Sequence, residues 1–199
     1  MPRKNKTQQK IFGLTGGIAS GKSLVTKIFQ EEGIPVIDAD AVSRGLSAPG
    51  GAAAPLIEKR FGTLDRNEIR ERVFQDAVAR SDLEKILHPL IKIESEKQIA
   101  RLLAENPQAP FLIYEAALLI ESGRYRDFDG LIVISCPSEV RLQRLLSRSK
   151  MEEDLGRKII ASQLSEEERK KKADFLIENV GSHDELRLKV RDLKQKLSQ

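Results

Sequence analysis

With one cysteine, Cys136, the chain cannot form an internal disulfide, which agrees with a reducing compartment. No apolar run reaches the roughly 18–20 residues needed to cross a bilayer. No secretory-type apolar stretch follows the charged N-terminus. The cytoplasm is the expected compartment, and a membrane is not an expected partner. There are only two histidines and no partner motif for either. His88, in His88-Pro89, therefore reads as a structural or ligand-positioning residue. No internal repeat is visible.

Beyond residue 10 the chain also lacks any surplus of positive charge. It carries 34 Lys and Arg against 30 Asp and Glu, and residues 1–10 hold Arg3, Lys4, Lys6 and Lys10 with no acid. From residue 11 onward the two signs balance. The excess therefore reads as a disordered basic leader, residues 1–10, and not as a nucleic-acid face.

What remains is a chain of 199 residues, 40% hydrophobic and 32% charged, enough for one sizeable core and a smaller subdomain. Ile11-Phe12-Gly13-Leu14-Thr15 reads as a buried strand. A helix follows from about Lys22 to Glu32, stopped by Gly33. Ile34-Pro35-Val36-Ile37 predicts a second strand ending at Asp38-Ala39-Asp40. This β-loop-α-β run indicates a parallel sheet with helical crossovers. Residues 48–55, APGGAAAP, break the pattern, and residues 56–104 hold helical periodicity without a strand. Strand signals return at 111–114, 131–135 and 175–177. Ser138 to about Arg148 predicts a helix with Ser138 as its N-cap. The charged run 149–172 reads as mobile helix. A last helix, about Asp184 to Leu197, carries Leu186, Val190, Leu193 and Leu197 on one face, and packing back on the sheet outweighs a coiled coil of two heptads.

Between the first strand and its helix lies Thr15-Gly16-Gly17-Ile18-Ala19-Ser20-Gly21-Lys22-Ser23, which satisfies G-x-x-x-x-G-K-[ST]. Glycines let backbone N–H groups converge on phosphate oxygens, and the following helix points its positive end at the same anion. Lys22 has the reach for the β- and γ-phosphates and the Ser23 hydroxyl for Mg²⁺. The strand before and the helix after meet the motif's structural requirement, so the phosphate belongs to a nucleoside triphosphate.

Asp38 and Asp40 fall where the second strand ends, the end of an open α/β sheet that binds ligands. Either a carboxylate there accepts a hydroxyl proton, or Asp40 is the N-cap of a helix starting at Ala41-Val42. Arg141, Arg144 and Arg148 share a helix face leading into the charged run. If that run closes as a lid, Arg148, nearest the hinge, is the one expected to stabilise a transferring phosphoryl group. Cys136 reads as strand-end core. A guanine-reading Asn-Lys-x-Asp is missing, and so is a Leu-Ser-Gly-Gly-Gln signature, which argues against a switch GTPase and a transport ATPase. Asp127-Phe128-Asp129-Gly130 precedes a strand where a GTPase motif would follow one. A small-molecule kinase fits best.

From residue 11 to about 181 the chain resembles the dephospho-coenzyme A kinase family. The resemblance rests on Gly13–Ser23, on Val36-Ile37-Asp38-Ala39-Asp40, and on Asp65-Arg66 with Ile69-Arg70 and Val73-Phe74. It continues through Leu87-His88-Pro89-Leu90-Ile91, Leu118-Leu119-Ile120-Glu121, Ser162-Gln163, Ala173-Asp174 and Asn179. Two positions depart from the family pattern. Glu115 and Ala117 stand where Asp-x-Pro is common, and Arg148-Ser149-Lys150 where Arg-Asp is common.

The resemblance implies a P-loop-type parallel sheet flanked by helices. Its core would be residues 11–47, 105–148 and 173–199, with a helical acceptor-binding insert over 48–104 and a lid over 149–172. It implies transfer of the γ-phosphate of ATP to the ribose 3′-hydroxyl of dephospho-CoA, with Mg²⁺. The alternatives are a P-loop kinase of another nucleoside, nucleotide or small hydroxyl acceptor, and a non-catalytic nucleotide-binding regulator. Asp40, Lys22 and Arg148 would be catalytic. ATP would be held by Gly16, Gly17, Ile18, Ala19, Ser20, Gly21, Lys22, Ser23, Arg148 and Asn179. Thr15, Asp38, Asp40, Arg70, His88, Leu118 and Glu121 would hold the acceptor. Ser23 would ligate Mg²⁺ and Glu115 sit near it as an outer-sphere acid. Small-molecule substrates, and a monomer or weak homo-oligomer, complete the expectation.

Overall fold

The computed structural model describes residues 9–149 and 151–199. Residues 1–8 of the expected leader, and Lys150 of the Arg148-Ser149-Lys150 run, lie outside the described residues. The elements are β1 (Lys10–Gly16), α1 (Lys22–Glu31), β2 (Val36–Asp38), α2 (Ala39–Ser47), α3 (Ala54–Phe61), α4 (Arg66–Gln75) and α5 (Ala77–Glu105). They continue with β3 (Phe111–Glu115), a 3₁₀ turn (Arg124–Asp127), β4 (Gly130–Ser135), α6 (Ser138–Arg148), α7 (Glu153–Ala161), α8 (Glu166–Lys170), β5 (Phe175–Glu178) and α9 (His183–Leu197).

Five strands form one sheet in the order β2-β3-β1-β4-β5. β1 runs parallel to β3 with Phe12 opposite Ile113, and parallel to β4 with Leu14 opposite Ile132. β4 runs parallel to β5. Sheets of this kind are covered on both faces, which is why β4 reads Gly-Leu-Ile-Val-Ile-Ser without alternation and is buried throughout. β2 starts two residues later than the sequence predicts. Gly33, at φ +79°, makes the left-handed turn that closes α1, and the Ile34 N–H donates to the Phe29 carbonyl at 2.9 Å. Ile34 is thus committed to the helix end.

The chain divides into two compact units. The first takes the chain up to Ile37 and from Glu105 to Gln199. Its core joins Val25, Ile28 and Phe29 of α1 to Phe12, Phe111, Ile113, Ile132 and Ile134 of the sheet. Leu186, Val190, Leu193 and Leu197 of α9 sit in the same cluster, so this face packs in the core and forms no coiled coil. Phe12 and Phe111 meet edge to face at 5.4 Å. Outside the core, Arg187 pairs with Glu31 and Arg191 with Glu32, each at 2.7 Å, tying α9 to α1.

The second unit, Asp38–Ala104, starts at the last residue of β2 and is built of the helices α2 to α5. Its small core is Ala53, Ile57, Phe61 and Ala79, with Leu46, Leu83, Leu87 and Leu90 packed against them. α2 groups with these helices because Leu46 packs there and its carbonyl accepts from the Ala53 N–H at 2.9 Å. The expected core boundary at residue 47 and the observed division at Asp38 differ for that reason.

Ser138 is not an N-cap. Pro137 holds that place, and Ser138 is the first residue of α6, its hydroxyl accepting from Arg141 at 3.3 Å. The charged run 149–172 folds as two short helices, α7 and α8. No helix of the described residues is long and apolar enough to cross a membrane.

Candidate active site

β1 delivers its chain into the loop Gly17–Gly21, and α1 begins at Lys22. The loop closes on itself through the Ser20 N–H, which donates to the Gly17 carbonyl at 3.1 Å. Ala19 holds φ +58°, the one positive-φ residue other than glycine among the described residues, a conformation that costs about 1–2 kcal/mol. No side chain caps α1 and no acid lies in its first turn. By contrast α8 and α9 each carry a Ser–Glu capping box. The α1 N-terminus is thus left for an anion from outside the chain.

Gly21 is required twice over. Its φ is +98°, and a Cβ there would overlap Asn179 Nδ2. Asn179, buried at the end of β5, donates that amide to the Ser20 carbonyl at 2.8 Å. The Lys22 ammonium lies along the loop, donating to the Gly16 carbonyl at 2.9 Å. Thr15, also buried, donates its hydroxyl to the Ala117 carbonyl at 3.1 Å, joining β1 to the segment after β3. Leu118 is exposed, and its carbonyl accepts from the Ser122 hydroxyl at 2.7 Å.

The arginines divide in a way the helix periodicity does not announce. Arg141 is 2% exposed and Arg169, on α8, 1% exposed. A Cβ at Gly17 would overlap Arg141 Nη1 and meet Arg169 Nη1 at 3.2 Å, so both guanidiniums lie across the loop. Arg169 pairs with Glu121 at 3.3 Å. Gln163, between α7 and α8, accepts from the Ile18 N–H at 2.9 Å and from Arg141 Nη1 at 3.4 Å through one oxygen. Burial pushes the Arg141 guanidinium below its ordinary pKa; Glu166 opposes that shift and Arg169 adds to it. Arg144 donates to Cys136 Sγ at 3.4 Å, and burial raises the Cys136 thiol despite that contact. Arg148 is exposed at the far end of α6, about 10 Å along the axis from Arg141 at 1.5 Å per residue. The structure brings Arg141 and Arg169 to the loop and leaves Arg148 at the helix end. Sequence reasoning missed Arg169 because a single basic residue in a charged run looks like solvated surface.

A cleft of about 210 Å³ opens beside the loop, lined by Gly21, Leu24, Arg144, Asn179, Ser182 and His183 among others. Glu115 ends β3 and is 7% exposed, in register with Leu14 of β1. The Ser23 side chain is exposed in the first turn of α1. Among the described residues no group of three or more His, Cys, Asp or Glu could hold a metal by itself. A hydroxyl and one buried carboxylate are oxygen donors of the kind Mg²⁺ takes together with phosphate oxygens and water. The donor set fits that ion.

In the second unit, β2 ends at Asp38, which caps α2 by accepting from the Ala41 N–H at 2.8 Å and pairs with Arg44 at 3.2 Å. The cap is therefore Asp38, not Asp40. Asp40 lies in the first turn of α2, a favourable place for a carboxylate beside the helix N-terminus. Arg70 is exposed on α4. His88 is exposed on α5, just before the internal Pro89.

A model of the dephospho-CoA kinase family matches residues 10–185. The dephospho-CoA kinase of Aromatoleum aromaticum is 42% identical over 180 residues, covering 86% of this chain and 85% of that one. Among solved structures, the dephospho-CoA kinase from Campylobacter jejuni superposes with a TM-score of 0.68 at 30% identity, covering 94% of this chain and 96% of that one. TT1252 from Thermus thermophilus superposes at 0.84 with 29% identity, covering 96% and 98%.

Proposed function

The chain belongs to the dephospho-CoA kinase family, and from that membership we infer that it transfers the γ-phosphoryl group of ATP to the ribose 3′-hydroxyl of dephospho-CoA, giving coenzyme A and ADP. The observation that carries this reading is the family match over residues 10–185, laid over a glycine loop with an uncapped helix behind it.

The residues divide the work as follows. Backbone N–H groups of Gly16–Ser23 and the α1 N-terminus take the phosphates, and Lys22 turns from the loop carbonyls to the β- and γ-oxygens. The adenine enters the cleft beside Gly21, where Asn179 fixes the loop and Arg144 lines the wall. Asp40, in the first turn of α2 two residues past the Asp38 cap, accepts the proton of the acceptor hydroxyl. As the acceptor oxygen bonds the γ-phosphorus, the bond to the β–γ bridging oxygen breaks. The electron pair leaves on ADP. Arg70 and His88 bind the acceptor, as do Thr15, Leu118 and Asp38, and Arg148 covers the nucleotide from the exposed end of α6. Ser23 would ligate Mg²⁺, with Glu115 near it as an outer-sphere acid, and the ion when bound neutralises charge on the phosphates. Glu115 carries one methylene more than the Asp common in the family, so its carboxylate reaches further from β3. The cytoplasm is the compartment for this reaction, and its partners are the two small-molecule substrates.

The test is ADP release from ATP and Mg²⁺ with dephospho-CoA as acceptor and adenosine and AMP as controls. Turnover with dephospho-CoA well above both controls is expected. Folded protein that binds ATP but turns over no dephospho-CoA would overturn the acceptor and leave the glycine loop standing.

A further inference from the structure

Two guanidiniums, nine-tenths buried or more, crowd one glycine of the loop, and neither has all of its donors used. Arg141 Nε, Arg169 Nε and Arg169 Nη1 are buried without a hydrogen-bond partner. A buried, unpaired donor costs about 1–3 kcal/mol, and more when charged. Two like charges side by side add to that cost. The carboxylate directly on the pair is Glu121, at 3.3 Å from Arg169. Glu166 acts on Arg141 through space, and its own carboxylate is bonded to the Cys136 N–H at 3.2 Å. Such an arrangement is expensive in the absence of an anion and favourable in its presence.

Gln163 Oε1 is the acceptor that joins the loop to Arg141. One oxygen accepts from the Ile18 amide of the loop and from Arg141 together. A neutral amide oxygen is the weaker acceptor for both donors, and a phosphate oxygen makes charge-assisted bonds roughly twice as strong. We propose that Arg141 and Arg169 are catalytic arginines that together grip the transferring phosphoryl group, with Gln163 holding the place of one of its oxygens until ATP arrives. Glu121 is then a positioning residue, fixing the Arg169 fork against Gly17. That role differs from the acceptor contact expected of Glu121. Gly17 is the counterpart of the pair, since any side chain there would occupy the space of the arginines.

The inference rests on the kinase reading, because it needs a phosphoryl group in flight. Its test is made independent of the acceptor. The probe is ADP with Mg²⁺ and aluminium fluoride, a mimic of the transferring group, measured against ADP with Mg²⁺ alone. Wild-type protein is expected to bind ADP at least about tenfold more tightly with fluoroaluminate, since charge stabilisation of this kind is worth about 10²–10³ in rate. Arg141→Lys and Arg169→Lys are expected to bind ADP alone within about threefold of wild type and to lose most of the tightening. A lysine cannot reproduce the planar fork. Glu121→Gln, a milder change at a half-buried side chain, is expected to lose part of it. In turnover with dephospho-CoA it should lower kcat and leave the KM for dephospho-CoA unchanged. If Arg169→Lys does not fold, Arg141→Lys and Glu121→Gln decide. Folded variants that keep the full fluoroaluminate effect overturn the proposal. So does a Glu121→Gln that raises only the KM for dephospho-CoA. Failure of wild-type turnover with dephospho-CoA would strike the acceptor assignment and leave the binding result intact.

Discussion

In the first unit β4 is buried at all six of its residues and α9 seats four side chains in the same core. In the second, α4 buries none of its ten residues and α5 only Ala79 and Ser95 along twenty-nine. On the proposed kinase reading, the difference follows from what each unit would hold. A phosphate cradle works through backbone amides and must be right to a fraction of an ångström, so it hangs from a sheet whose strands are locked on both faces. Helices that present side chains to an acceptor need no such backing. They are drawn from the low end of local stability.

Substitutions break this comparison in order of size. Lys22→Ala is expected to lower kcat by a hundredfold or more, and robust transfer by that variant would sink the loop's role. Asp40→Asn lies in the softer unit yet should behave like a first-unit residue, with kcat down about 10²–10⁴-fold and ATP affinity kept. Turnover within a few-fold would leave Asp40 as a helix-end carboxylate only. Two phenylalanines then sharpen the contrast in stability. Phe29→Ala, fully buried in α1, should cost about 3–5 kcal/mol in denaturant melts. Phe74→Ala, 80% exposed on α4, should stay within about 0.5 kcal/mol. Equal losses would mean that the second unit is as tightly held as the first. Arg148→Ala should raise the KM for ATP only about threefold, the worth of an exposed charge contact near 0.5–1 kcal/mol. A large fall in its kcat would return to Arg148 the role proposed for Arg141 and Arg169.

The smallest expected effect concerns pH. Arg191, and then Lys194, hold the Glu32 carboxyl below its ordinary value of 4.5. A depressed carboxylate contributes stability above its unfolded pKa and loses it as pH falls through the folded one. Glu32→Gln should therefore be slightly less stable than wild type at neutral pH, with the gap closing below about pH 4.5. A gap that widens on acidification would contradict the pairing of α1 with α9.

The parallel sheet, the loop and the helical second unit were legible from apolar runs, glycine spacing and periodicity, because those signals are local. What escaped them depended on contacts far apart in the chain. Arg169 meets Gly17 from 152 positions downstream, and nothing about a charged run reveals that one of its arginines is turned inward. The Asp38 cap escaped for the opposite reason. Asp38 and Asp40 are both good caps, and β2 ending at Asp38 decides between them. Ser138 lost its cap role because Pro137 already supplies the extended residue before α6.

The sheet order sets a schedule for synthesis. β1 lies between β3 and β4, with Lys10 opposite Phe111 and Phe12 opposite Gly130. At about 5–20 residues per second on the ribosome, the glycine loop's strand emerges roughly five to twenty seconds before either neighbour exists. The second unit, built of neighbouring helices, is complete in that interval and can fold while the strand waits. α1 waits longer still, for α9 at the other end of the chain. The glycine loop is among the first parts translated and the last to be assembled, and until then its apolar strand has no neighbour in the sheet.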